Sequence, residues 1–341
     1  MKRHSVWFNT PFHVEVREAE VPAPAAGQAL VQTLCSAISP GTEMLIYRGQ
    51  FPRDLAVDET ISALAGAFAY PLKYGYAAVG RVTALGPGVD PAWDGRLVFA
   101  FNPHESHFAA AVESLLPVPV DLDPETALFL PNMETAVNFL LDGQPVIGEQ
   151  VAVFGQGIIG LLTTGLLARL SLASLITLDR FPLRREASLK LGAHASLDPA
   201  ALDVLAQLRA HLQGDHDYAG ADLIYEISGW PAALDQAIAA AGFNGRIVIG
   251  SWYGQKRVDL DLGGRFHRAR LRLIGSQVST LTPELLSRWT KARRLAVAWE
   301  RLRELQPARF ITHRFPFAEA AQAYALVDQR PAETIQIIFT Y

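Results

Sequence analysis

Cysteine is nearly missing from this 341-residue chain, which holds a single one, Cys35. One thiol excludes a disulfide within the chain and any metal site built on several thiolates. Cys35 lies in an apolar, strand-like run, QALVQTLCSAI, and reads as an inert buried thiol. Long hydrophobic runs are lacking as well. Nothing reaches the ~20 apolar residues that span a bilayer, and the longest candidate, from Gly157 to Leu170, is too short. The first residues, MKRHSVWFNTPFHVEV, start basic and turn polar at once, without the apolar run of a signal peptide. The expectation is a cytoplasmic protein with no membrane partner. Excess charge is also missing. Thirty Lys and Arg against 34 Asp and Glu give a formal net charge of −4, so no overall field draws nucleic acid. The stretch from Arg265 to Arg303 is locally basic, with Arg268, Arg270, Arg272, Arg293 and Arg294. It reads as a solvated helix face with strand ends, the alternative being a docking surface for an anion.

What is present is an ordinary globular balance, with 50% of residues apolar and 19% charged. The length is that of two domains rather than one core. Up to about residue 120 the chain reads as β: alternating runs such as HVEVREAEV, GRVTALG and RLVFAF are separated by Pro, Gly and Asp. Asp123-Pro124-Glu125 is a helix-start pattern. From Glu149 onward strand and helix alternate: EQVAVFG, IIGLLTTGLLARL, SLITLD, PLRREASLKLGA, ADLIYEIS, PAALDQAIAAAG, GRIVIGS and ARLRLIGSQV. That alternation predicts an α/β class with a parallel, doubly wound sheet. A long amphipathic helix is expected over PELLSRWTKARRLAVAWERLREL, and a last strand over TIQIIFTY.

The strand VAVFG runs into Gly155-Gln156-Gly157-Ile158-Ile159-Gly160 and then an apolar helix. In that setting the motif predicts a dinucleotide site. Gly155 permits the tight turn, Gly157 clears space for the pyrophosphate, and Gly160 lets helix and strand pack closely. The helix N-terminus offers free N–H groups to the phosphates. Asp179 ends the second strand, about 20 residues on, where a carboxylate accepts the adenosine ribose hydroxyls and repels a 2′-phosphate. The expected cofactor is therefore NAD rather than NADP, with Arg180 beside Asp179 as the residue that would welcome a phosphate or stack on adenine.

Three further segments give the chain a wider likeness: Gly75-Tyr76-Ala77-Ala78-Val79-Gly80-Arg81-Val82 with Ala84-Leu85-Gly86-Pro87-Gly88-Val89; Pro40-Gly41-Thr42-Glu43 through Tyr47-Arg48-Gly49; and Glu226-Ile227-Ser228-Gly229 with Gly245 to Ser251. With the glycine motif they resemble the medium-chain dehydrogenase/reductase superfamily over nearly the full length. The resemblance implies a GroES-like, β-rich substrate domain from residues 1–131 and 276–341. A Rossmann domain, 132–275, is inserted between them. It also implies cofactor contacts from Thr135, Ser228, Gly250 and Ser251. Where many members carry a zinc-binding Cys and His, this chain has Pro40 and Tyr76, with Ala77 in place of the following Glu. Shifting by one residue offers only Ser39. Proline cannot ligate a metal and tyrosine is a rare zinc ligand, so zinc is not expected and no metal residue is assigned.

Without zinc, the oxygen that gains charge needs a hydrogen-bond donor or an acid. Tyr76 and Thr42 stand where the resemblance puts the reacting oxygen. Glu43 would orient Arg48 or another group, or act as a base. His104 and His107, in NPHESHF, would lie in a loop at the rim of the substrate domain, relaying a proton, anchoring a relocated metal with Glu134, or simply exposed. Glu134 would be a buried acid with a raised pKa or a helix-terminus charge. Aromatics in Ser251-Trp252-Tyr253-Gly254 would stack on the cofactor or close an interface between subunits.

Four functions follow from these residues. The leading one is a zinc-independent NAD(H) oxidoreductase acting on a small polar alcohol or ketone. The others are a zinc dehydrogenase with ligands shifted to His104, His107 or Glu134, an NADPH-dependent enone or quinone reductase, and a non-catalytic NAD-binding protein. A homodimer or homotetramer is expected, pairing through the segment VDLDLGGRFHRARLRLIG. Light scattering that finds only a 37.2 kDa particle overturns that expectation.

Overall fold

A computed structural model describes residues 2–52, 61–64, 66, 68–212 and 219–341. The strands are β1 (Lys2–Thr10), β2 (His13–Glu20), β3 (Gln28–Ala37), β4 (Ala78–Leu85), β5 (Leu97–Ala100), β6 (His107–Ala111), β7 (Leu116–Pro117), β8 (Gln150–Phe154), β9 (Ser174–Leu178), β10 (Ala195–Leu197), β11 (Ala221–Glu226), β12 (Ala241–Ile249), β13 (Arg272–Gly275), β14 (Ile311–Pro316) and β15 (Gln336–Thr340). The α-helices are α1 (Glu43–Tyr47), α2 (Pro124–Ala127), α3 (Leu130–Gly143), α4 (Ile158–Leu167), α5 (Pro182–Leu191), α6 (Val204–Ala210), α7 (Ala232–Ala240), α8 (Lys291–Leu305) and α9 (Ala320–Gln329). They fold into two compact units, 1–131 with 306–341, and 132–305.

The first unit is built on a sheet ordered β14-β15-β3-β4-β5-β7, with β6 also on β3 and a separate β1–β2 hairpin. β14 and β15 come from the end of the chain, so the sheet joins residues far apart in sequence. Its core gathers Val6, Phe8, Ile38, Met44, Tyr47, Tyr74, Tyr324 and Phe339, all buried. Cys35 is buried here, and that burial pushes its thiol up to about 12. The second unit holds a sheet ordered β10-β9-β8-β11-β12-β13, parallel throughout. The chain steps outward from β8 through β9 to β10, then returns to the other side for β11, β12 and β13, which is the doubly wound order of a dinucleotide-binding sheet. β8, β9 and most of β11 are buried on both faces, which explains their unbroken apolar runs. α5 ends on Gly192 in the left-handed region, φ 110°, a conformation that costs glycine nothing.

Two expectations need correction. The second crossing between units falls at 305/306, not 275/276, because α8 belongs to the parallel-sheet unit. Leu305 packs within side-chain reach of Gly165 on α4. Arg294 on α8 is also buried against Glu134 and Asn138 of α3. The long helix expected from Pro283 is shorter: Pro283–Leu285 is a 3-10 turn and α8 starts at Lys291, with Thr290 Oγ1 capping Arg293 N at 3.1 Å.

Candidate active site

The glycine turn joins β8 to α4, and each glycine has its own steric reason. Gly155 has φ 96°, and a Cβ there would lie 2.5 Å from Ser228 Cα. At Gly160 a Cβ would overlap the Gly155 carbonyl oxygen. At Gly157, which precedes the first turn of α4, a Cβ would meet nothing within 4 Å. Open space at that position is what a pyrophosphate on a helix N-terminus needs. Gln156 turns inward and is buried: its Nε2 donates to Gly155 O at 3.0 Å and its Oε1 accepts from Thr164 at 2.9 Å. Ile158 is buried and Ile159 partly so, so both serve packing.

Asp179, at the end of β9, closes the turn from the side. Its Oδ2 accepts from Gln156 N at 2.7 Å and its Oδ1 from Phe181 N at 2.8 Å. The cation beside it is Arg184, 4.0 Å away, rather than Arg180, which is exposed. Burial holds the Arg184 guanidinium below its ordinary value, an effect the Asp179 charge opposes. Past β11 and β12, Ser228 is exposed and Gly250 is pressed against Phe139 and Ile227, where a Cβ has no room. Ser251 Oγ accepts from Gly229 N at 2.8 Å. Thr135 is half-buried on α3.

In the first unit, Tyr76, Thr42 and Ser39 bring three hydroxyls together. The Tyr76 hydroxyl donates to Ser39 Oγ at 2.5 Å and lies 3.5 Å from Thr42 Oγ1. Ser39 is in turn gripped by Glu43. Ser39 N donates to Glu43 Oε1 at 2.8 Å, while Glu43 N donates back to Ser39 O at 2.9 Å. Glu43 is fully buried and takes two more partners on Oε2: His104 Nε2 at 3.0 Å and the Tyr324 hydroxyl. Burial and then the Glu43 charge hold the Tyr324 phenol well above its ordinary value, so it stays a donor. His104 Nδ1 lies 2.7 Å from Ser36 Oγ, which continues to the Tyr341 hydroxyl at 2.8 Å. Gly75, with φ 114°, lies over the His104 ring, and a Cβ there would come within 2.7 Å of it. The bare Cα of the GYA segment thus makes room for this histidine. A buried carboxylate with three donors is satisfied, and the outcome is a fixed Ser39 under the Tyr76 hydroxyl.

Several expected roles change. Glu43 does not orient Arg48, whose Nε pairs with Asp328 at 2.7 Å. His104 is fully buried rather than exposed at a rim, with both ring nitrogens engaged. His107 lies apart on β6, its Nδ1 3.2 Å from Ser106 Oγ. Desolvation, then the nearby His4, lowers its imidazole pKa. Glu134 is buried in the second unit, ion-paired to Arg294 at 2.9 Å. Within the first unit His104 and His107 thus serve separate local contacts, and in the second Glu134 serves Arg294. Among the described residues no three His, Cys, Asp or Glu side chains gather to hold a metal. The basic stretch is not all solvated: Arg294 is 1% exposed, and Arg265 spends its guanidinium on the carbonyls of Ala241 and Ala219. Sequence reasoning missed Tyr324, Ser36, Tyr341 and Arg184, and treated Ser39 only as a poor substitute for a cysteine. Local pattern carries no signal for a pair 281 positions apart such as Glu43 and Tyr324.

A family model described as zinc-binding dehydrogenase matches residues 159–297. An L-threonine 3-dehydrogenase from Bacillus subtilis is 29% identical over 209 residues, a match covering 61% of this chain and 56% of that protein. An L-galactonate-5-dehydrogenase from Escherichia coli is 24% identical over 356 residues, with 95% of each chain covered. Among solved structures, an alcohol dehydrogenase from Escherichia coli CFT073 complexed with NADH aligns with a TM-score of 0.80 at 19% identity, over 100% of this chain and 99% of that one. The same two-part architecture, a parallel nucleotide-binding sheet and an antiparallel β-rich unit, is thus shared from end to end.

Proposed function

We propose, from the likeness to zinc-binding dehydrogenases, that the chain is a medium-chain dehydrogenase/reductase that moves hydride between NAD(H) and a small polar alcohol or its ketone, with a hydroxyl cluster at the positions where the family resemblance puts zinc ligands. The observation that carries this reading is the Tyr76–Ser39–Thr42 cluster, held from below by buried Glu43. Pro40 has no donor for a metal, and tyrosine and serine hydroxyls are poor partners for zinc. The residues present do not fit that ion.

Nicotinamide, when bound, supplies the hydride chemistry. The glycine turn and the α4 N-terminus would hold its pyrophosphate, and Asp179 would take the adenosine ribose. The Asp179 carboxylate disfavours a 2′-phosphate, which supports NAD over NADP. In the first unit the chain manages one proton. Tyr76, with Ser39 accepting from it and Thr42 beside it, is the donor set for the substrate oxygen as charge develops there. Glu43 contributes by fixing Ser39 through its backbone N–H, not by touching substrate. A polar substrate suits these hydroxyls, and the polyol- and amino-acid-dehydrogenase names of the relatives agree with that class.

The test is elemental analysis, fluorescence titration with NADH and NADPH, and turnover of L-threonine, L-galactonate and simple polyols with and without a strong chelator. The expected result is NADH binding, no stoichiometric zinc and chelator-resistant turnover. Tyr76→Phe should lower kcat by about 100-fold, the low end for loss of a positioned acid, with the NADH Kd unchanged. One zinc per chain with chelator-sensitive activity sinks the hydroxyl reading. NADPH preference with enone substrates points to a reductase, and binding without any turnover to a decayed enzyme.

A further inference from the structure

The loops that follow β11 and β12 are joined by side chains that hydride transfer does not use. Glu226, the last residue of β11, is fully buried. Its Oε1 accepts from Ser228 N at 3.0 Å and Ser228 Oγ at 2.5 Å, and its Oε2 from the Tyr253 hydroxyl. Two more bonds close the same loops: Gly229 N donates to Ser251 Oγ and Lys256 Nζ donates to Gly229 O, both at 2.8 Å. Glu226 pairs across the sheet with Ile249 on one side and Phe154 on the other. Residues 227–230, residues 250–256 and the glycine turn therefore leave the sheet at one end. The first of these loops abuts the turn itself, since Ser228 Cα bars any Cβ on Gly155.

Strand order reverses between β8 and β11, and a dinucleotide lies across the crevice at such a reversal. Asp179, directly after β9, marks the adenosine side. The nicotinamide half then falls over the ends of β11 and β12.

We propose that Tyr253 is a positioning residue for the nicotinamide half of the cofactor: by donating to buried Glu226 it pins loop 250–256 to loop 227–230, so that this wall is rigid before cofactor arrives. A wall already ordered lowers the ordering cost of binding. A buried carboxylate that loses a donor is left underbonded and draws other groups toward it, which loosens both loops. Burial, then the Glu226 charge, pushes the Tyr253 phenol well above its ordinary value, so it keeps its proton at neutral pH. The proposal rests on the dinucleotide-binding reading and adds to it a residue outside the glycine motif.

The experiment compares NADH with ADP, which carries the adenosine half and lacks nicotinamide. Both are titrated against wild type and Tyr253→Phe, with melting recorded for each. The expected result is about tenfold weaker NADH binding, ADP binding within twofold of wild type, and a melting temperature little changed. Lys256→Met removes a second stitch between the same loops and should give the same split at about threefold, which keeps the question open if Tyr253→Phe does not fold. A wild type that fails to bind NADH overturns the dinucleotide reading. A wild type that binds NADH, with variants that weaken NADH and ADP equally or neither of them, overturns the role of Tyr253.

Discussion

Tyr225 lies near the end of β11, fully buried, its hydroxyl pressed toward Gly143 and without a hydrogen-bond partner among the described residues. Burial raises its pKa far above the ordinary value, so the neutral phenol is trapped in an apolar setting. An unsatisfied buried hydroxyl costs on the order of 1–3 kcal/mol. Tyr225→Phe keeps the ring and removes that penalty, so it should leave stability equal or raise it by about 1 kcal/mol, read from urea unfolding. A clear loss would mean the hydroxyl has a water or other partner. Glu43 and His104 are the contrasting residues. Their types mark them in the sequence as chemistry-bearing, and the resemblance places Glu43 beside the reacting centre. Their partners were not legible, because Ser36, Ser39, Tyr324 and Glu43 meet only once β3, α1 and α9 are packed.

At the scale of elements, the β8–turn–α4 unit was the most legible part of the chain. Its strand, three glycines and apolar helix lie within about 20 consecutive residues, although the structure gives the glycines different reasons: Gly155 is confined by Ser228, Gly160 by the Gly155 carbonyl, and Gly157 faces open space. That separation of reasons makes a sharp prediction. Gly157→Ala adds a Cβ into open space, so folding should be unchanged while NADH binding weakens by tenfold or more. Gly160→Ala adds one against the Gly155 carbonyl, so it should lower the melting temperature as well as binding. Titration and melting curves on the two variants separate the cases. If Gly157→Ala binds NADH like wild type, the open space at that glycine is not a phosphate cradle. Helix α8 was less legible. The apolar period continues upstream of Lys291, but Pro283 opens only a short 3-10 turn, and Thr290 rather than an earlier residue caps the helix.

At the scale of the whole molecule, both units bury acids that ionise only at high pH. Cys35 is pushed up to about 12 by burial, and Tyr225 and Tyr324 lie well above their ordinary value. Each keeps its proton in the folded chain while the unfolded chain releases it, the thiol above about pH 8.5 and the phenols above about pH 10. The unfolded state then binds fewer protons, so stability falls as pH rises, by about 1.4 kcal/mol per pH unit for each group once past its unfolded pKa. Urea midpoints should therefore decline from about pH 8.5 and more steeply above pH 10, and Cys35→Ala should flatten the first part only. A flat profile to pH 11 would contradict the burial of all three. By itself the sequence determined the α/β class, the order of strands and helices, and the glycine turn with its acidic partner. Those features are local: they depend on period, on backbone freedom and on residue type within short windows. Only the tertiary structure decided that α8 joins the parallel-sheet unit, that His104 is buried beneath Gly75, and that Glu43 holds Ser39 while Tyr253 meets Glu226. Those contacts depend on which distant side chains the packed sheets bring within 3 Å or so, and hydrogen-bond geometry at that range is settled by the fold, not by spacing along the chain.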